Sequence, residues 1–152
     1  MNKTNAKLLA ISSPGGHWIQ LTRLCAGLPD TYEIIYAMPD KLFKPQNGQK
    51  IYSVMDVSAD DKWKLIPCAL QIAWILLRER PKAILSTGAA PGVVAILLGK
   101  FLGIRTIWVD SIANVKKISR SGELVKNRVD VFLTQWEHLS DQQSIKFEGA
   151  IL

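Results

Sequence analysis

His17 directly follows Ser12-Ser-Pro-Gly-Gly16, a spacing that offers two chemistries, proton transfer and anion binding. A neutral imidazole at the start of a helix can take the proton of a sugar hydroxyl as that hydroxyl attacks. Gly15 and Gly16 let the backbone approach a ligand closely, and the free N–H groups of a first helical turn favour an anion such as a diphosphate. The plainer roles are a helix cap for His17 and a packing turn for the glycines. A second small-residue stretch, Thr87-Gly-Ala-Ala-Pro-Gly92, repeats the arrangement in mid-chain. Two such turns facing one crevice strengthen the case for a phosphate-rich ligand. The candidate binding residues are therefore Ser13, Gly15, Gly16, Thr87, Gly88, Ala89, Pro91 and Gly92, with His17 as the candidate catalytic base. Asp110, Ser111 and Asn114 follow another apolar run, and either hydrogen-bond sugar hydroxyls or form an Asx-type turn.

Several other chemistries are excluded by pattern. GxGxxG and Gly-Lys-Ser/Thr are both absent, so neither a dinucleotide fingerprint nor a P-loop is present. Gly-x-Ser-x-Gly is absent too. No His, Cys and carboxylate cluster has ligand spacing, so no metal is expected. His138 lies in a polar stretch and is expected at the surface. Cys25 and Cys68 give no disulfide framework, which suits a cytosolic or cytosol-facing chain.

These residues need elements to hold them. Lys7–Ser12, Tyr32–Ala37, Ile51–Val54, Lys82–Ser86, Arg105–Val109 and Val129–Thr134 read as short strands. Helices are expected over His17–Ala26, over an apolar stretch around Leu65–Leu77 with Pro67 in its first turn, and over Val93–Leu102 with Gly103 closing it. Met38 to Lys50 reads as a surface loop and Ser58-Ala-Asp-Asp61 as a polar lead-in. A short helix near Glu137–Gln143 and an extended end at Ala150–Leu152 complete the chain. Strands alternating with helices predict one doubly wound, mostly parallel, Rossmann-like α/β domain over residues 1–152, with ligands bound at the carboxyl ends of its strands.

The chain has 152 residues and a formal net charge of +6, with 48% hydrophobic and 21% charged residues. That composition is neither disordered nor fibrous. No stretch reaches the roughly 20 apolar residues a spanning helix needs, and the apolar run near the N-terminus is too short for a signal peptide. The cations are clustered. Lys116, Lys117, Arg120, Lys126 and Arg128 face Glu123 alone, and Leu65–Leu77 is flanked by Lys62, Lys64, Arg78, Arg80 and Lys82. Cationic flanks around an apolar helix suit an anionic membrane surface. With Gln71 its single polar residue, that helix has more apolar surface than one core face uses, and Trp74 and Ile75 cannot both face the sheet. Nucleic acid is disfavoured, since no recognition motif and no interleaved aromatic platform appears.

Four segments occur in order: Ser-Pro-Gly-Gly-His17, Ser86-Thr-Gly-Ala-Ala-Pro-Gly92, Trp108-Val-Asp-Ser-Ile-Ala-Asn-Val115, and Phe132-Leu-Thr-Gln-Trp136 with Gly-Ala-Ile-Leu152. In this the chain resembles bacterial polysaccharide-biosynthesis proteins akin to the acceptor-side subunit of the two-subunit UDP-GlcNAc transferase of dolichol-linked oligosaccharide synthesis. The resemblance implies the N-terminal, acceptor-binding half of a GT-B glycosyltransferase. It implies a partner subunit that binds the UDP-sugar donor, a polyprenyl-diphosphate-linked sugar acceptor, and no cofactor. It also implies a peripheral position on the inner face of the cell membrane, with exopolysaccharide or capsule as the product. Two alternatives are a non-catalytic recruiter of a complete transferase and an unrelated nucleotide-binding α/β enzyme.

Overall fold

The structure, a computed structural model, describes residues 6–28, 32–39, 49–57 and 61–151. Among the described residues there are seven strands: β1 (Ala6–Ile11), β2 (Tyr32–Met38), β3 (Lys50–Ser53), β4 (Ala83–Ser86), β5 (Arg105–Val109), β6 (Val131–Thr134) and β7 (Lys146–Phe147). They form one sheet in the order β3-β2-β1-β4-β5-β6-β7, and every neighbouring pair is parallel. Parallel strands require crossovers, and α1 (Gly16–Ala26), α2 (Leu65–Glu79), α3 (Ala89–Phe101) and α4 (Arg120–Val125) lie in them. The chain winds outward from β1 to β3, then returns to the other side of β1 with β4. The strand order therefore reverses between β1 and β4, the place where open α/β sheets bind ligands.

The apolar strand runs are buried on both faces, as a covered parallel sheet requires. Leu9, Ile11, Ile35, Ile84, Trp108 and Phe132 face one layer, where they meet Cys68, Ile72 and Ile75 of α2, Ala95 and Ile96 of α3 and Val125 of α4. Leu8, Ala10, Tyr36, Leu85 and Val109 face the other and meet Trp18, Leu21 and Cys25 of α1.

Helix α2 runs antiparallel to the strands. Its last residue, Glu79, is buried at the amino ends of β1 and β3, where Lys7 Nζ lies 2.8 Å from one carboxylate oxygen and Lys50 and the Tyr52 hydroxyl bind the other. Pro67 sits in the first turn as expected, and Arg80 closes the helix in the left-handed region (φ 49°) before Pro81. One face buries Cys68, Ile72, Ile75 and Leu76. The opposite face leaves Leu65, Ile66, Leu70, Trp74 and Leu77 exposed, and Trp63 just before it is 88% exposed. The expected surplus of apolar surface is thus present, with Ile75 inside and Trp74 outside. No described helix is long and apolar enough to cross a membrane.

Three expectations need correction. Helix α3 begins at Ala89 rather than Val93, because Ala-Ala-Pro-Gly forms its first turn, where Pro91 needs no hydrogen-bonded N–H. The polar segment after β5 contains α4, capped by Ser119, whose Oγ accepts the Gly122 N–H at 2.8 Å. Helix over Glu137–Gln143 reduces to one 3-10 turn, Glu137–Leu139. Beyond it the Asp141 carboxylate accepts the N–H groups of Gln143, Ser144 and Ile145 and stops the helix. The short strand β7 was not expected; Ala150 and Ile151 lie in neither helix nor strand, and Leu152 lies outside the described residues. Most of the expected Met38–Lys50 loop and Ser58–Asp61 lead-in lies outside the described residues.

Candidate functional site

His17 is the second residue of α1 and stands at the carboxyl edge of the sheet, beside the β1–β4 reversal. Its Nδ1 lies 2.8 Å from the Thr87 carbonyl oxygen. A carbonyl can only accept, so Nδ1 carries the proton and, in the neutral ring, Nε2 keeps its lone pair. The Thr87 hydroxyl returns the contact, donating to the His17 carbonyl at 2.7 Å. The ring lies against Gly88, where a Cβ would fall 2.5 Å from Cε1 and 2.7 Å from Nδ1, and Gly88 has φ 141°. Glycine at 88 is therefore required twice, by the backbone and by the imidazole above it. Among the described residues no group bonds Nε2. The arrangement holds an oriented imidazole at the carboxyl edge of the sheet.

The other candidates divide by what their polar groups touch. Gly15 and Gly16 are exposed, with no heavy atom within 4 Å of where a Cβ would stand. That leaves room at the start of α1 for a ligand oxygen to approach backbone N–H groups. Ser13 is half-buried, and its carbonyl accepts the Ser12 hydroxyl at 3.0 Å. Thr87 is buried, and its carbonyl and hydroxyl both bond His17, so it holds the imidazole in place. Ala89, at φ 66°, Pro91 and Gly92 form the first turn of α3, with Pro91 and Gly92 buried.

Asp110 is buried, and its carboxylate is occupied from inside. It accepts Trp108 Nε1–H at 3.1 Å, the Ser119 N–H at 2.9 Å and the Ser119 hydroxyl at 2.5 Å. Its place is the centre of the loop between β5 and α4. Gly122 fits there because a Cβ would come 2.9 Å from Asp110 Oδ1 and 2.8 Å from Ile118. Ser111 is buried and Asn114 half-buried, the Asn114 N–H bonding the Ser111 carbonyl at 3.0 Å. Exposed Lys116 and Lys117 continue the same loop. His138 is at the surface as expected, with Nε2 donating to the Val115 carbonyl at 2.6 Å.

Two buried residues beside the site were not foreseen, Gln20 and Gln135. Gln135 Nε2 donates to Gln20 Oε1 at 3.1 Å and to the Asp110 carbonyl at 3.0 Å. Gln20 Nε2 reaches the Ser111 hydroxyl at 3.4 Å. A polar residue three positions after His17 on an otherwise apolar helix face was the available signal.

This arrangement accompanies a match of residues 50–151 to the family described as Oligosaccharide biosynthesis protein Alg14 like. The chain belongs to the Alg14-like family. It is 24% identical over 177 residues to the mouse (Mus musculus) UDP-N-acetylglucosamine transferase subunit ALG14, covering 92% of this chain and 80% of that protein. It is also 26% identical over 125 residues to the UDP-N-acetylglucosamine--N-acetylmuramyl-(pentapeptide) pyrophosphoryl-undecaprenol N-acetylglucosamine transferase of Parasynechococcus marenigrum, covering 74% of this chain and 35% of that one. The crystal structure of Acinetobacter baumannii MurG superposes with a TM-score of 0.79 at 12% identity, over 97% of this chain and 46% of that one. The fold of this Alg14-like chain is that of one half of a GT-B glycosyltransferase, and it spans less than half the length of MurG.

Proposed function

We propose that this chain is the acceptor-side subunit of a two-component glycosyltransferase. In this reading it binds a polyprenyl-diphosphate-linked sugar at the inner face of the cell membrane, and a partner subunit binds the UDP-sugar donor. The names of the mouse and cyanobacterial relatives favour N-acetylglucosamine as the donor sugar, and the latter favours an undecaprenyl-linked acceptor. A bacterial product of such a lipid-linked route is an exopolysaccharide or capsule chain.

The observation that carries the reading is the oriented His17 ring at the carboxyl edge of the sheet, with Nδ1 committed to the Thr87 carbonyl. In an inverting transfer, the acceptor hydroxyl attacks the anomeric carbon of the donor sugar and Nε2 takes the hydroxyl proton. The bond to the nucleoside diphosphate breaks, and the diphosphate leaves with the electron pair, stabilised by donors on the partner. The open start of α1 at Gly15 and Gly16, together with Lys116 and Lys117, suits the acceptor's own diphosphate. Membrane contact is supported by the exposed apolar side of α2 and by Lys62, Arg80 and Lys82 at its flanks, each adding about 1 kcal/mol near anionic lipid, while Lys64 is paired with Asp61 and Arg78 lies beside Glu79.

The test is His17→Ala in the assembled pair. Turnover should fall by roughly 10²-fold or more, the scale of a general base, with the thermal melt preserved. Near-normal turnover would leave the non-catalytic recruiter, which the same α2 surface also suits.

A further inference from the structure

Gln135 and Trp136 leave the end of β6 and both turn back to the segment after β5. Trp136 Nε1 donates to the Ile112 carbonyl at 2.8 Å. Gln135 uses every polar atom of its side chain: its two N–H bonds go to Gln20 Oε1 and the Asp110 carbonyl, and its oxygen accepts the Ile151 N–H at 3.0 Å. Gln20 in turn bonds Ser111. Only a primary amide supplies two donors and an acceptor in that shape without charge. The side chains of Gln20, Gln135 and Ser111 are all shielded from water, where such bonds are geometrically strict.

The elements so joined are α1 and the segment after β5. Helix α1 carries His17 one turn before Gln20, and the segment from Asp110 to Asn114 carries the candidate acceptor contacts. Resting on the functional reading above, we propose that Gln135 is a positioning residue. Through Gln20 it fixes the separation between the His17 base and the 111–114 loop. It touches neither substrate nor reacting atoms; it acts through α1.

The test uses Gln135→Met and Gln20→Met, near-isosteric changes that remove the clasp. In the transferase assembled with its partner, kcat should fall on the order of tenfold to a hundredfold, the usual effect of misplacing a catalytic group by about 1 Å. The KM for the donor, held by the partner, should stay unchanged. The isolated chain provides a second reading, because ¹⁵N resonances of the His17 ring report which nitrogen bears the proton. Wild type should show Nδ1–H, and both variants should shift away from it. If Gln135→Met fails to melt cooperatively, Gln20→Met decides, since it leaves the Gln135 bonds to Asp110 and Ile151 in place. Unchanged His17 resonances in a folded variant would overturn the proposal whatever the kinetics. A wild-type pair without transfer would remove the functional reading, while the resonances would still decide the clasp.

Discussion

Glu79 shows how single residues set the stability of the scaffold beneath the site. Burial alone would push its carboxyl up, but hydrogen bonds from Lys50, Lys7 and Tyr52 outweigh burial and hold it at about 2, against an ordinary 4.5. A folded value below the unfolded one means that the carboxylate stabilises the fold fully above about pH 4.5 and loses this contribution as pH falls towards about 2. Asp130 and Asp141 are lowered too, so the difference between wild type and Glu79→Gln isolates this one group. The variant should lose about 1–3 kcal/mol at pH 7 and show a flatter acid limb in denaturant melts. An unchanged acid limb would place the titration elsewhere. At the other end of the sheet, Gly88→Ala puts a methyl group into the His17 ring. The ring must leave Thr87, and transfer by the assembled pair should fall on the order of tenfold or more. Normal transfer by a folded Gly88→Ala chain would show that the ring's position is not used.

Among the elements, α2 has the clearest division between its faces. Ile66, Leu70 and Leu77 are each about two thirds exposed, and Arg78 lies over the Trp74 ring with its guanidinium carbon 5.1 Å from the ring centroid. Leu70→Glu or Leu77→Glu should release the protein from anionic liposomes in co-sedimentation while leaving its melt intact, because neither side chain belongs to the core. Retained liposome binding with a normal melt would assign this face to the partner instead. This helix was legible in the sequence because thirteen nearly unbroken apolar residues exceed what one buried stripe requires. Strands β1 and β5 were legible for a related reason, since strands buried on both faces are written as solid apolar runs. Helix α4 was not, because it is held by a Ser119 cap and a buried Asp110 rather than by apolar periodicity. The start of α3 was hidden because Ala-Ala-Pro-Gly satisfies a turn and a first helical turn equally well. His17 could be picked out from its neighbours, but its Thr87 partner is 70 residues away in sequence. The Gln20–Gln135 pair spans 115 residues and follows no local rule.

Among the described residues the two faces of the sheet are covered unevenly. Three helices pack on one face and α1 on the other, where Leu24, Leu85, Ile107, Val109 and Leu133 line an apolar cleft of about 470 Å³. On the proposed two-component reading, the partner holds the donor and its leaving diphosphate. This chain by itself should then give no transfer from a UDP-sugar to a lipid-linked acceptor, and activity should appear on mixing with the partner in a radiolabelled-donor assay. Robust turnover by the chain alone would overturn the two-component reading.

The direction of α2 has a consequence for how a lipid-anchored substrate would arrive. The helix lies along the strands, with Leu65 towards their carboxyl ends and Glu79 at their amino ends. A bilayer that holds the apolar side of α2 flat also lays the strands parallel to its plane, so the carboxyl edge of the sheet with His17 faces sideways along the membrane. On the proposed reading the acceptor would then arrive by lateral diffusion. Encounter becomes a search in two dimensions, governed by acceptors per unit area of membrane rather than per unit volume of cytosol.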